Sequence, residues 1–104
     1  MIMKWDGVTP DQYDKVKKAV NWEGNPPKGA IFHVAAFSPN GIQVTDLWHS
    51  AEEFNTFANE RLMPATNKVG LKGQPQVQLL PAHAIFIPEL QKLAEYEIAN
   101  TNSN

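Results

Sequence analysis

The stretch Ala30-Ile31-Phe32-His33-Val34-Ala35-Ala36-Phe37, the link Ser38-Pro39-Asn40-Gly41 and the stretch Ile42-Gln43-Val44-Thr45-Asp46-Leu47-Trp48-His49 decide the fold. Two runs rich in β-branched and aromatic residues flank an Asn-Gly pair, the strongest short-range hairpin signal. With Asn40-Gly41 as a two-residue loop, Phe37 lies opposite Val44, Ala35 opposite Asp46 and His33 opposite Trp48. Side chains alternate along a strand, so the hairpin has two distinct faces. One carries Phe32, Val34, Ala36, Thr45 and Leu47, and is expected beneath helices. The other carries Ile31, His33, Ala35, Phe37, Val44, Asp46 and Trp48. That second face is too apolar for open solvent and too polar for an ordinary core. A second copy packed against it would enclose a cavity of mixed polarity, the usual character of a ligand site.

Outward from the hairpin, Met1–Trp5 reads as a strand closed by the Asp6-Gly7 turn. Thr9-Pro10-Asp11-Gln12 is a helix start with a capping residue, a proline suited to the first turn and a glutamine three residues after the cap. Tyr13, Val16 and Val20 then recur at helical spacing, and the helix should stop near Asn21–Trp22, before Gly24-Asn25-Pro26-Pro27. After the hairpin, Ser50-Ala51-Glu52-Glu53 is a second capping box, opening a helix with Phe54, Phe57, Ala58 and Leu62 on one face. Pro64 interrupts it, and Gly70 ends it. Gln74–Ile87 is expected to be a long last strand, broken or bulged at Pro81. Pro88 opens a terminal helix with Leu90, Leu93, Ala94 and Ile98 inward. The order βαββαβ is the split-βαβ, ferredoxin-like arrangement: an α+β domain with an antiparallel sheet and two helices on one face. Residues 1–100 form this single domain and 101–104 a flexible tail.

Composition narrows the function classes. The 104 residues suit one domain, and 9 basic against 11 acidic residues leave a net charge of −2. Nucleic acid and anionic membranes are poor partners for such a chain, because both need a concentrated basic surface. Lys15, Lys17 and Lys18 alternate with Asp14 and read as a solvated helix face. The absence of cysteine excludes disulfides, thiolate chemistry and cysteine–zinc sites. Met1–Trp5 is too short, and too soon interrupted by Lys4 and Asp6, for a signal peptide. No run reaches the length of a membrane span, so a cytoplasmic protein is expected.

The run Val44-Thr45-Asp46-Leu47-Trp48-His49-Ser50-Ala51-Glu52-Glu53-Phe54, followed by Phe57, resembles the strand-to-helix segment of the dimeric α/β-barrel superfamily. Its members often show a tryptophan ending a strand, a serine cap, acidic residues and an aromatic helix face. That superfamily includes antibiotic-biosynthesis-type monooxygenases that need no cofactor, haem-degrading enzymes, polyketide cyclases and lactone isomerases. The resemblance is nearest to its small stand-alone members of uncharacterised function. It implies a homodimeric barrel, with a cavity between sheet and helices or inside the barrel. It does not fix the reaction.

Candidate chemistry falls on few residues. His33 and Asp46 are the candidate catalytic pair, since a carboxylate beside imidazole fixes its tautomer and suits proton abstraction from a phenol or an activated carbon. Asp46 reads equally as a fold-stabilising acceptor, and His33 as a hydrogen-bonded structural residue. Trp48 is a candidate ligand contact through stacking or its N–H, with Trp5, Phe37 and His83 as further lining residues. Trp22 is expected to cover a helix end, and His49 to serve at the surface or at a cap. Metal is not expected, because the three histidines lie far apart without ligand spacing. Haem is not expected either: the haem-degrading relatives hold iron through a helical histidine, and neither central helix contains one. Gly70, Lys72 and Gly73 lack the pattern of a phosphate loop, while Ser38 and Ser50 read as turn and cap. The expectation is therefore a cofactor-free enzyme, monooxygenase-like or a cyclase or isomerase, acting on a small aromatic or polyketide-like molecule. A non-catalytic binding or interaction domain is the alternative.

Overall fold

Four antiparallel strands form one sheet in the order β2-β3-β1-β4 in the computed structural model, which describes the backbone of residues 1–102 and side chains as far as Glu97. The strands are β1 (Ile2–Asp6), β2 (Ala30–Ser38), β3 (Gly41–Trp48) and β4 (Gln76–Gln78). This order is compatible with a ferredoxin-like fold. The helices are α1 (Pro10–Val20), α2 (Ala51–Phe57), α3 (Met63–Val69) and α4 (Leu90–Asn102), with a π-helical turn at Ala58–Leu62 joining α2 to α3.

The helix starts follow local chemistry. Thr9 accepts from the Gln12 N–H at 3.2 Å, and the Gln12 side chain accepts from the Thr9 N–H at 3.1 Å. Both orphan donors of the first turn are thereby satisfied. Ser50 caps α2 through the Glu53 N–H, but its hydroxyl also donates to the Glu53 carboxylate at 3.0 Å, so the reciprocal half of the expected box is replaced. Pro64 has no N–H and its ring would strike the carbonyl four residues back, which accounts for the widened π turn immediately before it. Arg61 projects from that turn and donates to the carbonyls of Val20 and Asn25, both at 2.8 Å. The loop after α1 is thus tied to the opposite helix.

The hairpin differs from expectation in register. Phe37 pairs with Ile42, Ala35 with Val44 and His33 with Asp46, so the two-residue loop is Pro39-Asn40 and Gly41 already belongs to β3. The reason lies at Gly41. A Cβ there would stand 2.3 Å from the Trp5 carbonyl oxygen, and its φ of 150° disfavours any side chain. The glycine is used for close approach of β1 and not for the turn. A shift of two residues preserves the alternation, so each residue keeps its predicted companions, except at Ile31. That residue is bulged out where Ala30 pairs with Trp48 and Phe32 with Leu47.

The assignment of the faces is inverted. Val44, Asp46, Trp48, His33 and Ala35 lie on the side covered by helices, beside the core of Met3, Trp5, Val8, Ile42 and Phe54. A second core cluster joins Val16, Val20, Phe57 and Ala65 beneath α1, α2 and α3. The open face holds Ile2, Thr45 and Val34 in one cross-strand row, with Val34 43% exposed. Each of the two hairpin faces carries enough apolar residues for either role, and packing by Phe54 and Phe57 settles the choice.

The C-terminal third departs furthest from expectation. The last strand is only Gln76–Gln78, and residues 79–89 run on without strand or helix. Three prolines, Pro75, Pro81 and Pro88, and the absence of a facing strand account for the early end. Helix α4 begins at Leu90, which is exposed; Leu93 is half-buried, Ala94 is exposed, and the Ile98 side chain lies outside the described residues. The helix includes Thr101 and Asn102 of the expected tail, whereas Ser103 and Asn104 lie outside the described residues.

Candidate functional site

The helices cover one face of the four-stranded sheet incompletely, and the edge strand β2 is largely exposed. A partly open cleft of about 1090 Å³ lies there, lined by inner-face residues and the helices, and also by Phe32 and Val34 of β2 and by Leu93 and Tyr96 of α4. Such a volume reaches the upper end of typical ligand sites.

A chain of hydrogen bonds crosses the wall of this cleft. Trp48 Nε1 donates to Asp46 Oδ2 at 3.0 Å, Asp46 Oδ1 meets His33 Nδ1 at 2.6 Å, and His33 Nε2 meets the Tyr13 hydroxyl at 2.8 Å. Asp46 and His33 are directly opposed across β3 and β2, and Tyr13 descends on them from α1. The Asp46 backbone is held on both sides by Met1: its N–H donates to the Met1 carbonyl, and its carbonyl accepts from the Met1 amine, both at 2.9 Å. The carboxylate is 8% exposed and the imidazole 35%. Asp46 is therefore the buried anchor and His33 the accessible group.

Aromatic rings frame the pair. Trp22 tilts over the His33 ring at 4.9 Å between centroids, and Phe37 presents an edge contact to Tyr13 at 5.9 Å. Burial pushes the Tyr13 phenol well above the ordinary tyrosine range, with the Asp46 carboxylate and then Asp14 and Glu23 adding to the effect. Tyr13 thus keeps its proton at neutral pH and donates it to Nε2. A neutral His33 then carries its own proton on Nδ1, where Asp46 accepts it. This tautomer is assigned from the heavy-atom contacts of the two ring nitrogens. Among the described residues, no buried side-chain nitrogen or oxygen lacks a partner.

The sequence-predicted residues divide clearly. His33, Asp46, Trp48 and Phe37 come together on one wall of the cleft. Trp5 also lines it, but is 5% exposed and spends its N–H on the Lys72 carbonyl at 2.8 Å, which makes it a structural wall. His83 stands apart: it lies in the exposed segment after β4 and is not part of the cleft lining, since the strand expected to carry it there ends at Gln78. Tyr13 and Trp22 were not anticipated. Tyr13 reads as one more apolar member of the α1 stripe. A hydroxyl on a helix stripe that faces a strand histidine is the signal that would have found it. Among the described residues, no group of three or more His, Asp and Glu side chains could hold a metal ion.

A scan against protein-family models finds no match for the chain, and a search of curated proteins finds none either. No helix among the described residues is long and apolar enough to cross a membrane.

Proposed function

We propose that the cleft binds a small aromatic or polyketide-like molecule and that His33, oriented by Asp46, takes a proton from it without metal or organic cofactor. The observation that carries this reading is the unbroken chain Trp48–Asp46–His33–Tyr13 on the wall of an apolar cleft. A buried carboxylate on Nδ1 holds imidazole in the tautomer whose free nitrogen points outward, and it stabilises the imidazolium that forms when that nitrogen is protonated. Tyr13 is hydrogen-bonded to Nε2 and lines the cleft beside His33. It can pass its proton to Nε2 while receiving one from a bound phenol or enol, ending neutral as it began. The products of this step are a bound substrate anion and an imidazolium paired with Asp46.

The anion has two fates. In a monooxygenase-like reaction it gives electrons to dioxygen; a methylene becomes a carbonyl, one oxygen atom enters the product and the other leaves as water. In a cyclase or isomerase the imidazolium returns the proton at a different atom. Membership of the dimeric α/β-barrel superfamily fits the element order, and the homodimer it entails would join two copies through the open sheet face, leaving one site within each protomer. The second reading is a binding domain without chemistry. The observation favouring it is that the N–H groups of Trp5 and Trp48 and the Asp46 oxygens are already paired within the chain.

Mass spectrometry of metabolites retained from a cell extract tests the reading, comparing the natural protein with His33→Ala. The expected outcome is a conjugated, acidic compound enriched on the natural protein and at least about tenfold less on the variant, the loss of one charge-assisted contact. Equal retention on both, or none on either, sinks it.

A further inference from the structure

The segment that leaves β4 is the most apolar exposed stretch of the molecule. Leu79, Leu80, Ile85, Phe86, Ile87 and Leu90 are 40, 62, 61, 87, 44 and 65% exposed. Between Leu79 and Pro88 the only polar side chain is His83, and there is no Asp, Glu, Lys or Arg before Glu89. Monomeric domains rarely display an apolar strip of this kind, because the chain loses conformational freedom there and gains no burial.

The same molecule displays a second apolar surface, only partly covered, whose Phe32 and Val34 also border the cleft. On the open sheet face Ile2, Thr45 and Val34 form one row and Phe32 and Leu47 another, and the charged residues are Lys4, beside Gln43 and Gln76, and Asp6 at the end of β1. Phe32, Leu47 and Ile2 are half-buried, and Val34 is exposed. The strip does not fold back to cover this face within its own chain, although both surfaces would be buried by it. Charge gives no obstacle to their meeting, and hydrophobic burial favours it.

We infer that residues 79–90 form an exchanged arm, seated on the open sheet face of a second copy of this chain. This rests on the homodimer of the proposed function and adds to it the element that holds the two copies together. A two-fold axis makes the exchange reciprocal, so both arms and both sheet faces are covered at once. Six large apolar side chains averaging about three-fifths exposed offer on the order of 350 Å² per arm, at roughly 100 Å² for a whole side chain. Two arms and the equal area they cover bring the buried surface to about 1,400 Å², within the range of about 1,200–2,000 Å² typical of specific interfaces. His83, central in the arm, is carried to the partner rather than to the site of its own protomer.

The full chain with a benzophenone side chain in place of Phe86 tests the arm, using a mixture of isotope-labelled and unlabelled copies at micromolar concentration. Light scattering is read first and should give about twice 11.6 kDa. Illumination should then join label-mixed peptides, position 86 of one copy to residues of β2 or β3 of the other. Cross-links confined to single copies overturn the exchange, as does a dimer whose cross-links avoid the sheet face; in the latter case the dimer itself stands. A monomer overturns both readings. Phe86→Asp is a second measurement: the residue is 87% exposed within the protomer, so folding is spared. Its dimer dissociation constant should rise at least about 100-fold, and an unchanged constant removes the arm from the interface.

Discussion

Tyr13 shows how much a single position can carry. It belongs to the apolar stripe of α1 by spacing, to the aromatic frame by its contact with Phe37, and to the proton chain by its bond to His33. The raised phenol makes it a donor at neutral pH, and the sign of its linkage to stability follows. The folded value lies above the unfolded value of about 10, so its contribution is fully present below about pH 10 and is lost as the pH rises through the folded value. Tyr13→Phe should therefore flatten the alkaline limb of the stability profile, and should remove a late step from the phenolate absorbance titration. At neutral pH it should cost about 1 kcal/mol, the worth of one hydrogen bond, read from the midpoint of urea unfolding. His33, Asp46 and Trp48 were legible in the sequence because polar residues interrupt an apolar alternation, and alternation survives a register slip of two. Tyr13 was not, because nothing in a helical stripe distinguishes a ring chosen for its area from one chosen for its oxygen.

At the scale of elements, α1 is the adjustable part of the site. Its first turn is fixed by Thr9 and Gln12, its last by the left-handed Asn21, and the loop beyond by Arg61. Thr9→Ala should destabilise the protein by about 1 kcal/mol through loss of the cap. It should also broaden the NMR signals of the His33 ring, since Tyr13 sits within the turn that the cap begins; an unchanged ring signal would show the helix to be held by packing alone. The hairpin teaches a different lesson. Asn40-Gly41 gives the strongest turn signal in the chain, yet the turn is Pro39-Asn40, because Gly41 is needed where β1 passes over it. Turn chemistry is local, and the closest backbone contact in the sheet is not. The same limitation explains the two faces: their apolar content is similar, and the helices that choose between them are remote in sequence.

For the whole molecule, the βαββαβ order and the helix limits were readable from caps, prolines and periodicity, and the sheet order agrees with the arrangement they imply. The last strand was not, because a run such as Leu79–Ile87 looks the same whether it pairs with its own sheet or reaches beyond it. Its apolar composition sets the character of any association. A dimer held by residues 79–90 should depend only weakly on sodium chloride between 0.05 and about 1 M, since screening acts on charges and Glu89 is the arm's one carboxylate, beside an otherwise apolar run. Analytical ultracentrifugation across that range checks this, and a dissociation constant rising steeply with salt would point to an ionic interface instead.

The tilted packing of Trp22 against His33 gives the protein a built-in optical gauge. An imidazolium quenches the light emitted by a neighbouring indole more strongly than neutral imidazole does, and at 4.9 Å the two rings are in contact. Trp22 emission should dim as His33 gains its proton and recover as it gives it up. A molecule entering beside Tyr13 would alter that brightness without any label. The protonation state at the centre of the proposed chemistry can thus be followed from outside, in real time, with a fluorimeter.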